Sequence, residues 1–330
     1  RIDYIEISKE NIISHSALNK KFKISKFSDL SKLKMKGCNI GFGIASSLVD
    51  RLKKRDPSLI DCKKNILNLY IKTSIQVFLT MEELFRNYNL KKILTFNGRF
   101  AHSAVIKNFC YKKKIDIFFH ERSDNKNRYY LNSRPVHDMQ AWRKMATNSW
   151  KTSKISLKKK QNIGKKWFED RQKNKFADGL NHTKFQVRGK IPNFPQNKRI
   201  ITFFSHSDEE YAYCQELKHP IFSNQRETII WLIKYFKNKK NTIFVLRVHP
   251  NLLNKSKTDI KWWHSLKKNY NYKNFLLISS KSECDSYALI KKSDITLTFC
   301  SSSIALESTY LGAPSIVIGD SQYRSTQSAH

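Results

Sequence analysis

The chain has 330 residues, 40% of them apolar, and a formal net charge of +35 from 62 Lys and Arg against 27 Asp and Glu. That length allows two domains with ample cores, while no run reaches the roughly 18 to 20 apolar residues of a membrane span and the start RIDYIEIS has no signal-peptide pattern. The lysines are scattered, without an aromatic-interleaved RNA motif, a zinc finger or a clean basic helix, so nucleic acid is not the expected partner; an anionic membrane or acceptor, or coding bias, accounts for the charge.

In chain order, residues 1 to 36 show little beyond an early strand at Tyr4 to Ile7. Opening on Arg1 and stopping a few residues after a core strand, the chain reads as a piece of a longer protein. Asn39 to Ser47 (NIGFGIASS) carries Gly41 and Gly43 ahead of a helix expected to start near Ala45. Such a turn lets a ligand approach backbone closely, and a plain tight turn is the competing reading. Asn65 to Tyr88 has the apolar spacing of a long amphipathic helix. A strand at Lys92 to Phe96, a helix at Ala101 to Lys112 and a strand at Ile115 to Phe119 follow. This alternation predicts a doubly wound sheet whose carboxyl edge displays Asn97, Arg99, His120 and Glu121, with Asp124 close behind. A salt bridge for Arg99 and a solvated carboxylate for Glu121 are the structural alternatives.

Leu131 to Phe185 reads as helical, without strands, and heavily basic around WKTSKISLKKKQNIGKKW. It reads as the last helices of a first domain (1–190) plus a connection with a face for an anionic surface, or simply a solvated one. The prolines of IPNFPQ mark the linker to a second domain (191–330). There, Arg199 to Phe204 is a strand and SHSDEE its exit loop, with Ser205 and Ser207 in reach of a phosphate. His219 and Pro220 read as a helix end. Thr228 to Phe236 is a helix. NTIFVLRV is a strand that delivers Arg247, His249 and Pro250 at its carboxyl end. A helix at Ile260 to Leu266, a strand at Phe275 to Ile278 and a helix at Asp285 to Ile290 lead into SDITLTFCSSSIALESTYLGAPSIVIGD. That stretch is a strand, a serine run, a short helix and a second strand, a βαβ unit joined right-handed. Ser301, Ser302 and Ser303 sit at the helix start, where N–H groups, hydroxyls and the helix dipole converge on an anion. Ligands bind beyond the carboxyl ends of such strands, so RVHP and the serine run are expected to face one crevice that holds a phosphate. A satisfied histidine, a plain N-cap and, for Glu307, a helix-surface carboxylate are the competing readings.

FFSHSDEE at Phe203 to Glu210, RVHP at Arg247 to Pro250 and SDITLTFCSSSIALESTYLGAP at Ser293 to Pro314 resemble GT-B glycosyltransferases of bacterial capsule and surface-polysaccharide synthesis, the group of Kdo transferases and bacterial sialyl- and polysialyltransferases. The resemblance covers chiefly residues 199 to 319. It implies an α/β fold of two Rossmann-like doubly wound parallel-sheet domains facing a central cleft, with donor phosphate on His249 and Ser301 to Ser303 and donor ribose on Glu307. The sialyltransferases' acidic-acidic-glycine motif is not found, so their base is not carried over.

The activity expected is transfer of a sugar from a nucleotide-sugar donor to a glycan or lipid-linked acceptor, inverting and without a metal, since no DxD pair is present to hold one and no cofactor is called for. Arg247, His249 and the serine-capped helix would stabilise the leaving phosphate, and Glu121, then Asp124, then His120, would be the base. A CDP-glycerol-type glycerophosphotransferase shares the same motifs, and a nucleotide-sugar epimerase and a basic nucleic-acid-binding protein are the remaining alternatives. Six cysteines without a CxxC pair point to reduced thiols and a cytoplasmic place, with the basic charge at the inner face of the plasma membrane.

Overall fold

Runs of β-branched and aromatic residues become the central strands of both halves in the computed structural model, which describes residues 24–123, 127–175, 183–214, 216–217, 221–255 and 257–326. The expected strand at Tyr4 to Ile7, Asp124 and the His219–Pro220 pair lie outside the described residues. Residues 24–123, 127–137, 209–214 and 216 form one compact unit, and the remaining described residues form a second.

In the first unit a 3-10 helix at Phe27–Lys32 precedes a hairpin of β1 (Lys34–Met35) and β2 (Cys38–Asn39), which is followed by helix α1 (Gly41–Leu52). The Asn39 side chain accepts the N–H groups of Gly41 and Phe42, both at 3.0 Å, so the helix starts at Gly41 and not near Ala45. Helix α2 (Lys64–Asn87) buries Ile71, Ile75, Phe78 and Met81 at helical spacing. Phe78 meets Phe109 of α3 (Ala101–Lys113) edge to face at 5.8 Å. Strand β3 (Lys92–Phe96) pairs in parallel with β4 (Asp116–Arg122), placing Phe96 opposite His120. Ile117 and Phe119 are buried while Asp116 and His120 are exposed, the alternation of a half-covered strand. The third strand, β5 (Tyr129–Asn132), runs antiparallel to β4, so this sheet is mixed, and its last two residues lie in a stretch whose sequence shows no strand pattern.

The second unit is built on five parallel strands: β6 (Arg199–Phe204), β7 (Thr242–Arg247), β8 (Phe275–Ile278), β9 (Ile295–Phe299) and β10 (Ser315–Ile318). Helices α6 (Gln225–Phe236), α7 (Lys257–Asn269), α8 (Ser286–Lys292) and α9 (Ser303–Tyr310) connect them in turn. The strand order is β10-β9-β6-β7-β8. The chain winds outward from β6 through β7 to β8, then returns to β9 on the other side and continues to β10. This is the doubly wound order, and its direction reverses between β6 and β9. The protein is therefore α/β, as the sequence predicts. Ile200, Phe204, Val245, Ile278, Leu289 and Ile290 form a core cluster, with Ile191 and Phe194 of the proline segment packed on it.

Helices α4 (Met139–Thr152) and α5 (Leu157–Gln172) make their contacts within this second unit, whereas the sequence reading assigns them to the first domain. Arg143 of α4 pairs with Asp320 at 2.6 Å. Phe168 of α5 stacks on Tyr310 with ring centroids 4.1 Å apart. Partners this far apart in sequence leave no trace in local periodicity.

Candidate functional site

In a doubly wound sheet the loops leaving the two strands at the reversal point open a crevice at the carboxyl edge. Here those loops are Ser205 to Ser207 after β6 and Cys300 to Ser302 after β9. The side-by-side pairing of β6 with β9, Phe204 opposite Thr298, brings them together. His206 lays its ring on Phe299 at 5.8 Å, joining the two exits. His206 lies inside the SHSDEE stretch, where its place directly after a strand is the signal that marks it.

Ser205 ties the exit of β6 to that of β7: its buried hydroxyl accepts the His249 backbone N–H at 2.9 Å, and its own N–H donates to the Arg247 carbonyl at 3.1 Å. His249 caps the short 3-10 helix Pro250–Asn254, its Nδ1 accepting the Asn251 N–H at 3.1 Å. A ring nitrogen that accepts carries no proton, so the neutral imidazole is protonated on Nε2, which makes that atom a donor. Asn251 also donates from its side chain to the Ser207 hydroxyl at 3.4 Å.

The serine run divides its tasks. Cys300, at a left-handed φ of 54°, turns the chain sharply out of β9. Ser301 donates to the Met139 sulfur and accepts the Gln322 N–H, each at 3.1 Å. Ser303 accepts from Arg171 of α5 at 3.1 Å. Ser302 is the N-cap residue of α9, yet its hydroxyl makes no cap bond, so it does not take up the first-turn N–H groups of that helix. The Ala305 N–H donates instead to the Ser302 carbonyl at 3.2 Å, and the positive end of the helix dipole is the anion-attracting feature of this edge.

Two residues expected to hold donor are committed to the protein itself. Arg247 is buried and turned inward, its Nη1 donating to the Ser279 carbonyl at 2.5 Å and its Nη2 to those of Ser282 at 3.3 Å and Cys284 at 3.5 Å. Burial lowers its pKa. It braces the β8–α8 loop from a buried position. Glu307 is buried with both oxygens engaged: Oε1 accepts from Arg171 Nε at 3.1 Å and Oε2 from the Tyr287 hydroxyl. Burial first, and then the Glu307 carboxylate, raise the Tyr287 pKa well above its usual range, so Tyr287 remains a donor.

At the carboxyl edge of the first unit's sheet, Asn97 and Gly98 both take left-handed φ, 56° and 83°, in the turn after β3. Asn97 Nδ2 donates to Glu121 Oε2 at 2.5 Å, and Glu121 Oε1 accepts the Arg122 N–H at 2.8 Å. Two N–H donors thus orient a half-buried carboxylate. His120 beside it is exposed, its ring edge on Phe96 at 5.6 Å. Arg99 is committed to structure: Nε donates to the Ser46 hydroxyl at 2.5 Å, Nη1 to the Glu210 carbonyl at 2.7 Å and Nη2 to that of Glu209 at 2.8 Å. With buried Lys107 paired to Glu216, it holds segment 209–216 in this unit.

Gly41 and Gly43 do serve a close backbone approach, but by protein. A Cβ on Gly41 would lie 1.7 Å from the Leu30 carbonyl oxygen, and one on Gly43 would lie 2.7 Å from that of Phe100. They let α1 pack on the 3-10 helix Phe27–Lys32 and on the start of α3.

Among the described residues no cluster of His, Cys, Asp or Glu is gathered to hold a metal ion. The six cysteines are buried and not in disulfides.

No protein-family model and no curated protein matches the chain. Among solved structures it is similar to Thermosulfurimonas dismutans KpsC, a beta Kdo 2,7 transferase, with 13% identity over 79% of each chain and a TM-score of 0.40. It is also similar to the UDP-GlcNAc 2-epimerase of Neisseria meningitidis, with 12% identity over 75% of this chain and 64% of that one and a TM-score of 0.26. The UDP-GlcNAc 2-epimerase of Methanocaldococcus jannaschii gives 14% identity over 75% and 65% and a TM-score of 0.30. The chain spans less than two thirds of the length of these two epimerases.

Proposed function

We propose that the protein is a GT-B glycosyltransferase that moves a sugar from a nucleotide donor to a glycan or lipid-linked acceptor. The observation that carries this reading is the reversal point of the second sheet, where Ser205 fixes the His249 backbone and Asn251 fixes its tautomer. On this reading His249 and the start of α9 are the donors that would meet an anion. In the reaction the acceptor oxygen bonds to the anomeric carbon as the bond from that carbon to the nucleotide phosphate breaks. The electron pair goes to the phosphate, where preorganised donors stabilise it without rearranging. The acceptor proton goes to a base, for which Glu121, oriented by Asn97, is the candidate. Attack from the face opposite the phosphate inverts the anomeric centre. A lipid-linked acceptor would bring this work to a membrane surface.

Thermal shift with CMP, CDP, UDP, GDP and dTDP tests the reading, because a ligand that binds only the folded state raises Tm. At least one nucleotide is expected to raise it. His249→Asn keeps a capping oxygen for the Asn251 N–H but lacks Nε2–H. It is expected to abolish the rise while leaving the ligand-free Tm within a degree or two. A shift that survives His249→Asn, or the absence of any shift, removes the basis for the assignment. Turnover of CDP-glycerol in place of sugar nucleotides would reassign the enzyme to the glycerophosphotransferases.

A further inference from the structure

Helices α4 and α5 form a hairpin whose root and tip differ in kind. At the root, Met139 is buried, Asp138 caps the Ala141 N–H at 2.9 Å, and Phe168 and Arg171 pack on α9. At the tip, every residue from Ala146 to Lys159 except half-buried Ser153 is exposed. Trp150, Ile155 and Leu157 keep 56%, 42% and 60% of their surface in water. The charge is equally one-sided, with nine Lys and Arg and no Asp or Glu from Met139 to Phe168. The two helices are held together near the tip by Lys160, whose Nζ donates to the Trp150 carbonyl at 2.7 Å and lies 4.6 Å from the centre of its ring. Ser156 caps the start of α5 by accepting the Lys159 N–H at 3.4 Å.

We propose that this tip docks on an anionic lipid bilayer, with Ile155, Leu157 and Trp150 entering the headgroup layer and Lys151, Lys154, Lys158 and Lys159 meeting lipid phosphates. Two aliphatic side chains at the end of a hairpin gain nothing from water or from a phosphate backbone, and they do gain from the acyl boundary. Lysines around them are attracted by the negative surface potential of the same layer. A nucleic acid would use the lysines and leave Ile155 and Leu157 without a purpose, so the combination favours lipid. Because the root sits on α9, docking would hold the second unit's sheet near the surface. This docking is independent of what the phosphate site transfers.

Co-sedimentation with vesicles of phosphatidylglycerol and phosphatidylcholine, against vesicles of phosphatidylcholine alone, tests the proposal. Binding to the anionic vesicles is expected to be at least tenfold tighter and to weaken as salt is raised. Ile155→Ser with Leu157→Ser keeps every charge and is expected to weaken binding by roughly tenfold. Reversal of Lys151, Lys154, Lys158 and Lys159 to Glu is expected to abolish it, at roughly fivefold for each charge removed. All the altered positions are exposed, and an unchanged Tm confirms that the fold is kept. Equal binding to both kinds of vesicle, no binding to either, or no effect of the serine pair overturns the proposal. So does binding of duplex DNA that the reversed charges abolish, if the serine pair leaves vesicle binding unaltered.

Discussion

Each of the two sheets ends in a carboxyl edge built around an arginine, a short turn and one side chain suited to proton or charge handling, yet the edges solve different problems. At the first, Arg99 clamps the carbonyls of Glu209 and Glu210, and a carboxylate, Glu121, stands oriented by Asn97. At the second, Arg247 clamps the carbonyls of Ser279 and Ser282, and the groups beside it are His249, held through Nδ1 by the Asn251 N–H, and a helix start. In both, the guanidinium is spent on loop carbonyls. The lesson is that an arginine at a strand end finds loop carbonyls without ladder partners close by, and five N–H donors can satisfy several of them at once. The remaining contrast, an oriented carboxylate at one edge and a histidine beside a helix start at the other, is the one the proposed transfer would use.

The largest expected effect comes from removing the base side of this contrast. Glu121→Gln keeps an oxygen for the Asn97 amide but not the basicity, and should lower kcat by roughly 10²- to 10⁴-fold with little change in donor KM. A variant that retains full turnover would place the base elsewhere and dissolve the contrast. Next in size is Arg247→Met, which should destabilise the protein by roughly 3 kcal/mol in urea unfolding, since buried carbonyls lose their donors. If instead stability holds and nucleotide binding is lost, Arg247 is a ligand group and the two edges differ more than their structures suggest.

Much of the second sheet is legible in the sequence because parallel strands covered on both faces are written as continuous apolar runs, such as RIITFF and ITLTF. Once the strands are placed, the residues that follow them fall at the carboxyl edge by construction, which is why Ser205, His249 and the serine run are found there. The direction a side chain takes is another matter. Arg247 turns inward toward carbonyls 32 to 37 positions away, and Arg99 reaches across 110 or more. Local pattern holds no record of such partners. Gly41 and Gly43 announce that something comes close, but not that it is Leu30 and Phe100. The pairing direction of β5 and the attachment of α4 and α5 to the second unit depend in the same way on contacts that only the folded chain makes.

A third, smaller effect sharpens the first edge. Burial, and after it the positive charge of Arg99, pushes the His137 pKa down from 6.5 to about 4. Between those values the folded state binds fewer protons than the unfolded one, so stability is full above pH 6.5 and is lost as pH falls toward 4. The loss is at most about 3 kcal/mol. His137→Gln should flatten the fall in Tm between pH 7 and 5. Hydrogen exchange should show the acid weakening in residues 24–123 before the second sheet. Simultaneous weakening of both would mean that carboxylates common to the whole chain, and not this histidine, set the acid limit.

The smallest effect separates brace from ligand at the second edge. Glu307 is held by Arg171 and Tyr287, and Tyr287 cannot ionise near neutral pH because burial and the adjacent carboxylate both oppose it. Tyr287→Phe removes one donor to a buried carboxylate that keeps its arginine, a loss of about 1 kcal/mol. If Glu307 is part of the frame that positions α9, Tm should fall by a few degrees and the nucleotide-induced rise in Tm should be unchanged. If the carboxylate instead receives a ligand hydroxyl, freeing Oε2 from tyrosine should strengthen nucleotide binding and enlarge that rise. The sign of the change thus decides whether Glu307 resembles Arg247 or His249, and with it how much of the second edge is scaffold.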